Sequence, residues 1–297
     1  MKFEYSKNPE VIKRINKLKN AKKIYYIIAV VVVLICINLA IGLDIFGNMI
    51  PFIAIISFLF FLISTWIYNL YIVKNIQDSF ERELNPELLL NINIYLLKQK
   101  PTKKQSYYYL SNIALAYIYN GEFDNAKKVL DELEKKDLDK ICAALLTQKK
   151  IQLAFYKKDY KTVIKLQEKL LEESKFLNKK LKCEILFNME MLIAMIDKDK
   201  EKLNMICKTL EKSNKNIDRA DYLYIKSLFF EEKDNKYQKM LAFEGGNLFF
   251  AREELEEQDI TTKNNIKPNK YKQLKIMYMI LFVVIIIYII TFAINIL

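Results

Sequence analysis

The sequence contains no histidine, and only five glycines and five prolines occur among its 297 residues. Histidine is the commonest general base and metal ligand, so its absence removes the usual basis of a catalytic or metal site. Glycine and proline form the turns that short strands need at close intervals, and their scarcity disfavours an all-β fold. Phosphate-binding glycine loops, nucleophile elbows, zinc-protease motifs and calcium-binding loops are missing too. The sequence predicts an all-α protein that is not an enzyme, with no cofactor and no metal.

Cysteine is also scarce, and its four positions are scattered. Cys36 lies in an apolar run, while Cys142, Cys183 and Cys207 are too far apart for a CxxC pair. This distribution is typical of buried thiols in a reducing compartment. Lysine outnumbers arginine by 43 to four, and isoleucine and asparagine are abundant, as in proteins of AT-rich bacterial genomes. We therefore expect a bacterial protein.

The formal charge of +12 is concentrated beside the apolar runs at the two ends of the chain. Residues 1–23 carry eight Lys or Arg residues and two acidic residues, and residues 266–297 carry four Lys residues and no acidic residue. The charged middle, residues 78–265, is close to neutral. A nucleic-acid-binding domain would instead place its excess charge on a soluble face. The pattern indicates membrane topology signals, and we expect no nucleic-acid partner.

Three long runs lack any charged residue: 24–43, 49–73 and 276–297. At about 1.5 Å per residue, about 20 helical residues cover about 30 Å, the thickness of the hydrocarbon core of a bilayer. A buried helix of a soluble protein seldom stays apolar on every side over such a length. Trp66 and Tyr68, near the end of the second run, suit a membrane–water interface. The sequence predicts three transmembrane helices, two N-terminal and one C-terminal.

Basic residues set the expected orientation of these spans. Lysines and Arg14 crowd the chain before the first run, and the loop after it holds only Asp44 as a charged residue. Lysines again precede the third run, within 267–275. Because basic residues stay on the cytoplasmic side, the N-terminal segment 1–23 and residues 74–275 are expected inside the cell. The predicted location is the inner membrane of a bacterium, as a multi-pass protein.

A second interpretation treats the first apolar run as a cleaved signal peptide. Ala40 and Gly42 have the small-x-small spacing of a cleavage site. The run 24–43 is nevertheless longer than the apolar core of about 7–15 residues in a signal peptide. Cys36 follows Ile35 rather than a small residue, which disfavours a lipoprotein anchor. The signal-peptide alternative stays open on these residues alone.

Residues 74–259 are predicted to form a helical cytoplasmic domain, joined by a basic linker, 260–275, to the third span. Asn85-Pro86 is a strong helix start, since Asn is a favoured N-cap and Pro suits the first helical position. In segment 110–133, apolar residues recur at helical spacing on both sides of Gly121, which breaks the helix. The two apolar stripes consist of Leu110, Ile113, Ala114 and Tyr117, then Phe123, Ala126, Leu130 and Leu133.

Segment 110–133 resembles a tetratricopeptide repeat, whose signature is W-x2-L-G-x2-Y followed by A-x3-F. Both have a large, a small and an aromatic residue on the first helix, then a small and a large residue on the second. Leu110 stands where the repeat has Trp, Ala114 where it has Gly, and Leu130 where it has Phe, and the closing Pro is missing. The small residues allow two antiparallel helices to approach closely.

Weaker copies of this pattern follow along the chain. Their turns at Lys158 and Lys198 lie 37 and 40 residues after the preceding turn, slightly more than the about 34 residues of a regular repeat. A fourth hairpin is predicted over 218–257, interrupted at Gly245-Gly246. The resemblance implies an all-α solenoid of antiparallel helical hairpins. A helical bundle without repeats is the alternative.

In tetratricopeptide proteins the first helices of successive hairpins line a concave groove that receives peptides or partner helices. Amide and phenol groups in such a groove suit an extended peptide backbone. The alternative is that these side chains are ordinary surface residues. By position, the resemblance implies a partner-binding groove lined by Tyr108, Ser111, Asn112, Tyr119, Gln148, Gln152, Tyr156 and Asn188.

Two functions are compatible with this organisation. The first is a membrane-anchored scaffold or adaptor that presents a protein- or peptide-binding repeat domain at the cytoplasmic face, with the lipid bilayer as its second partner. The second is an accessory subunit of a membrane export, transport or immunity complex, in which the transmembrane helices make the main contacts. The residues do not define the partner's identity or the oligomeric state.

Overall fold

Two long antiparallel helices open the fold. The computed structural model describes residues 3–42, 46–230 and 235–258, and every regular element in these ranges is helical. Helix α1 spans Pro9–Gly42, and helix α2 spans Phe46–Gln77 and packs against α1. The all-α prediction is therefore confirmed for the described residues. The predicted linker and the third predicted span lie outside them.

The basic N-terminal segment is continuous with the first apolar run, because α1 contains most of both. Val11, Ile15 and Leu18 recur at helical spacing, are at most 5% exposed, and belong to one core cluster with residues of α2 and of the next helix. Asn8 Nδ2 donates a hydrogen bond to Glu87 Oε2 (3.0 Å). Residues 9–23 are thus a docked amphipathic helix, with their basic side chains on the outer side.

Past Lys23, most of the apolar side chains that the structure describes in 24–34 of α1 and in 58–66 of α2 are exposed. Ile27 and Val30 are 61% and 58% exposed, and Phe58 and Trp66 are each 62% exposed. Within the described residues, one helical stretch, Phe58–Arg82, is long and apolar enough to cross a bilayer, judged by length and composition.

Ten shorter helices follow a π-helical turn, Asp78–Arg82, that directly continues α2. They are α3 (Pro86–Leu97), α4 (Lys103–Tyr119), α5 (Phe123–Glu134), α6 (Lys140–Tyr156), α7 (Tyr160–Ser174), α8 (Lys179–Asp197), α9 (Lys200–Glu211), α10 (Asn216–Phe229), α11 (Lys236–Glu244) and α12 (Phe249–Gln258).

Short polar side chains define where many of these helices begin. The predicted start at Asn85-Pro86 is confirmed, since Asn85 Oδ1 accepts a hydrogen bond from the Leu88 amide (2.9 Å). Such bonds satisfy amides that the first helical turn leaves without a partner. The same arrangement caps α4, α6, α7, α8 and α9, through Thr102, Asp139, Asp159, Asn178 and Asp199.

The three turns expected at Gly121, Lys158 and Lys198 adopt the same backbone conformation. Their φ angles are +80°, +60° and +55°, in the left-handed region that ends a helix with a sharp reversal. Glycine occupies this region freely, whereas lysine does so at a cost. The three successive helix pairs are therefore joined by turns with the same left-handed residue conformation.

Consecutive helices are in contact as α4 with α5, α6 with α7, α8 with α9, and α10 with α11. The segment expected to form the fourth hairpin contains a third helix, α12. The first helices α4, α6 and α8 also contact one another in succession, and the second helix of each pair contacts the first helix of the next. Close approach within the first pair depends on Ala114 and Ala126, which are completely buried. Tertiary packing therefore continues from pair to pair.

The two ends of this helical array meet. Lys215 Nζ, before α10, pairs with Glu81 Oε1 at 3.0 Å, and Asn216 Nδ2 donates to the carbonyl of Arg82 at 2.6 Å. The backbone N–H of Asn247 donates to the backbone carbonyl of Leu84 at 3.0 Å. We call these contacts the closing seam. They join the end of the α1–α2 hairpin to the last helices of the array.

Candidate functional site

The inner face of the first helices of the array is the candidate site. The eight residues of the expected groove fall on α4, α6 and α8, but the chain covers most of them. Ser111, Tyr119, Gln148 and Gln152 are at most 8% exposed. Asn112, Tyr156 and Asn188 are half-buried, and Tyr108 is exposed.

Helix α3 covers the part of this face that lies on α4. Asn112 Nδ2 donates to Oδ1 of Asn93 at 3.2 Å, and Asn93 on α3 is completely buried. Tyr108 lies on the same helix as Asn112 but in a separate shallow depression, with Ser111 and Cys142 among its lining residues. The structure therefore does not place Tyr108 and Tyr119 in one continuous open groove.

The opposite part of the face is filled by aromatic side chains from the start of α12. Phe250 is only 2% exposed, and its ring stacks on Tyr156, with centroids 6.2 Å apart and planes 13° apart. The Phe249 ring meets Tyr156 edge-on at 5.0 Å. Such pairs contribute about 0.5–1.5 kcal/mol each beyond the apolar area that they bury. We call the whole group the aromatic cluster: Phe80, Tyr119, Tyr156, Tyr224, Phe249 and Phe250.

Four members of the aromatic cluster were not expected from the sequence. Phe80 contacts Tyr119 from the π-helical turn (5.1 Å between ring centroids), and Tyr224 of α10 contacts Phe250 (4.6 Å). These contacts join residues more than twenty positions apart, and no local pattern records them. The sequence signal that was available is the adjacent pair Phe249-Phe250, which follows the helix break at Gly245-Gly246 after two residues.

A buried carboxyl group lies close to the aromatic cluster. Burial, with a further contribution from Asp218, raises the pKa of Asp221 to about 8. Burial also raises the pKa of the Tyr119 and Tyr156 phenols, and the charge of Asp221 adds to this effect. At neutral pH the site is therefore a largely uncharged mixture of rings and polar hydrogen-bonding groups.

A row of polar side chains extends from Tyr156 along α6. Gln152 lies one turn from Tyr156 on the same face, and Gln148 one turn further. Lys149 Nζ contacts Gln148 Oε1 at 3.4 Å, and burial lowers the pKa of Lys149 to about 8, against an opposing effect of Glu184. Among the described residues, Gln152 Oε1 is one of two buried side-chain oxygens without a hydrogen-bond partner.

The described residues contain no cluster of three or more Cys, Asp or Glu side chains placed to hold a metal ion. The aromatic cluster and the α6 row offer apolar contact, stacking and amide hydrogen bonds, which suit binding of another protein segment.

The chain matches no protein-family model, no curated protein and no solved structure.

Proposed function

We propose that the chain is a membrane-anchored helical adaptor that holds a protein partner at the cytoplasmic face of a bacterial inner membrane. The observation that carries this proposal is the contrast between the two parts of α1 and α2. Near the helical array, the apolar side chains that face the core, such as Leu18 and Ile76, are at most 5% exposed. Further away, Ile27, Val30 and Phe58 are more than half exposed. Exposed apolar surface of this extent suits lipid or another membrane protein.

The proposed topology has three spans, two of them on α1 and α2 and the third at residues 276–297. The basic side chains of residues 9–23 support the proposed orientation, because they lie where the α1–α2 hairpin meets the helical array. Trp66 supports the position of the interface on α2, since it is exposed and lies within one helical turn of Tyr68, which contacts Tyr25.

The proposed relation to tetratricopeptide repeats concerns the four helix pairs. The shared left-handed turns and the contacts between successive pairs support it. The proposed partner surface is the inner face with its amide row and aromatic cluster. A segment of protein rather than a small molecule fits there, because the surface offers rings and amides distributed over α4 and α6.

Photo-crosslinking in the native membrane tests the adaptor function. A crosslinking side chain is introduced in the full chain at Tyr156 or Asn188, which are half-buried residues of the inner face on α6 and α8. Phe243 is the matched control position, because it is a 66% exposed aromatic residue on α11. We expect a defined protein to be captured from the first two positions and not from Phe243. Equal capture from all three positions, or none from the first two, contradicts the proposal.

A second function, an accessory subunit of a membrane complex, is favoured by one specific observation. The inner face of the array is largely covered by the chain itself, whereas α1 and α2 leave apolar side chains uncovered. Conservative changes of lipid-exposed positions separate the two functions: Ile27→Leu, Val30→Leu and Phe58→Leu keep the apolar character but change the surface shape. A subunit loses its complex when these side chains change, whereas an adaptor keeps its partner.

A further inference from the structure

The start of α12 occupies the proposed partner surface as a ligand would. Phe249 and Phe250 contact the two phenols of the surface, Tyr119 and Tyr156. Leu248 and Ala251 on either side of the pair are completely buried. A segment of the chain's own sequence therefore shows which chemistry the surface accepts: two adjacent aromatic side chains at the start of a helix.

Apart from its apolar contacts, this segment is held by few hydrogen bonds to the rest of the described chain. The Asn247 amide donates to the carbonyl of Leu84 (3.0 Å), and Arg252 donates from its guanidinium to the carbonyl of Asn120 (2.8 Å). The segment follows Gly245-Gly246, and Gly246 has a φ of +61°. Glycine tolerates a wide range of backbone angles, so these two residues form a hinge at which α12 can separate from α11 once their packing contacts break.

Within the described part of the chain, one buried polar atom of the surface has no hydrogen-bond partner while α12 is bound there. Gln152 Oε1 is buried without a hydrogen-bond partner among the described residues, one helical turn from Tyr156. Phenylalanine rings have no N–H group to donate to it. A segment that brought an amide or hydroxyl donor together with two rings would match the surface better than α12 does.

We infer that α12 is a displaceable internal ligand that competes with the partner, and that the partner binds through a segment carrying two adjacent aromatic residues and a hydrogen-bond donor for Gln152. This inference rests on the adaptor function proposed above and adds its regulation. The partner binds only to molecules in which α12 is displaced. Its apparent affinity therefore equals its intrinsic affinity multiplied by the fraction of such molecules. The closing seam ties α12 to the end of the α1–α2 hairpin, so events at the membrane can change that fraction.

The test uses the full chain in detergent micelles and a fluorescent peptide with the sequence of residues 245–258. The chain carrying Phe249→Ser and Phe250→Ser keeps the surface and weakens the internal ligand. We expect it to bind the peptide at least about tenfold more tightly than the wild-type chain. Phe243→Ser is the matched control, since it removes an exposed phenylalanine from α11, and we expect wild-type affinity. A peptide with both phenylalanines replaced by serine should not bind.

Hydrogen exchange on the wild-type chain tests whether α12 opens locally, even if the serine variant does not fold. We expect amides of residues 249–253 to exchange through a local opening, at least about tenfold faster than those of α8, whose core residues are buried. Exchange of both segments at one rate, or equal peptide affinity of a folded serine variant and the wild type, would overturn the inference.

These outcomes are separable from failure of the adaptor function. Peptide binding without any crosslinked partner in cells leaves the internal ligand standing and removes the adaptor. A crosslinked partner without local opening of α12 supports the adaptor function and contradicts the internal ligand.

Discussion

Asp221 shows how much a single residue depends on its surroundings in this fold. Its helix, α10, brings the carboxyl group close to the phenols of Tyr119 and Tyr156, and burial favours its neutral form. Nothing in the local sequence distinguishes it from Asp218, which is half-buried and accepts a hydrogen bond from Ser213 at 2.5 Å. The difference between the two carboxyl groups arises only when α4, α6 and α10 come together.

Replacement of Asp221 by asparagine changes the pH dependence of stability. The folded-state pKa of about 8 lies above the ordinary value of 3.8. The stability that this carboxyl group contributes is therefore fully present below about pH 3.8 and is lost as pH rises through about 8. We expect Asp221→Asn to remove this decline and to raise the free energy of unfolding at pH 8 by about 1–3 kcal/mol. Denaturant titrations of the full chain in micelles between pH 5 and pH 8 measure it. Asp131→Asn, at an exposed position, should keep the wild-type decline; a parallel decline in both variants contradicts the assignment.

At the scale of the element, the helix ends were readable from the sequence and the helix contacts were not. Asn85, Gly121 and Lys198 mark boundaries because caps and reversals depend on residues next to one another in the chain. The sequence did not predict the docking of residues 9–23, because their six basic residues hid the apolar stripe at Val11, Ile15 and Leu18. The role of that stripe becomes visible only in the folded chain, where it packs against α3.

The turn after α8 offers a stabilising substitution. Lys198 has a φ of +55°, a conformation that costs a residue with a Cβ atom about 1 kcal/mol and costs glycine little. We expect Lys198→Gly to raise the free energy of unfolding by about 0.5–1 kcal/mol, measured by denaturant titration. Lys208→Gly, at an exposed position inside α9, is the control and should lower it by about 1 kcal/mol. Destabilisation by both substitutions would show that the turn does not need a left-handed residue.

The docking of α1 predicts a change in stability and in protease sensitivity. Leu18 is 1% exposed, and truncation of a buried leucine costs about 2–5 kcal/mol. We expect Leu18→Ala to lower the free energy of unfolding by that amount and to speed tryptic cleavage between Lys13 and Lys23. Ile12→Ala removes a 43% exposed side chain from the same helix and should change neither measurement. Rapid cleavage of this region in the wild type contradicts docking.

For the whole molecule, the proposed topology places the helical array inside the cell. Cys183 is exposed on α8, whereas Cys207 is 2% exposed and burial raises its thiol pKa. In a chain with Cys183 as its only cysteine, we expect a membrane-impermeant maleimide to label inverted inner-membrane vesicles and not intact spheroplasts. A chain with only Cys207 is the control and should be labelled after denaturation alone. Labelling of Cys183 in spheroplasts reverses the orientation.

Local sequence patterns were enough to predict the helical class, the positions of the helix pairs and the separation of apolar ends from a charged middle. These features depend on residue periodicity, caps and composition, which are local properties of the chain. Tertiary structure alone decided that α3 and α12 cover the inner face, that Phe80 and Tyr224 join the aromatic cluster, and that the two ends of the array meet at Glu81 and Lys215. These are contacts between segments up to 134 residues apart. They form because apolar surface must be buried somewhere, and the partner of each face is set by the geometry of the whole array.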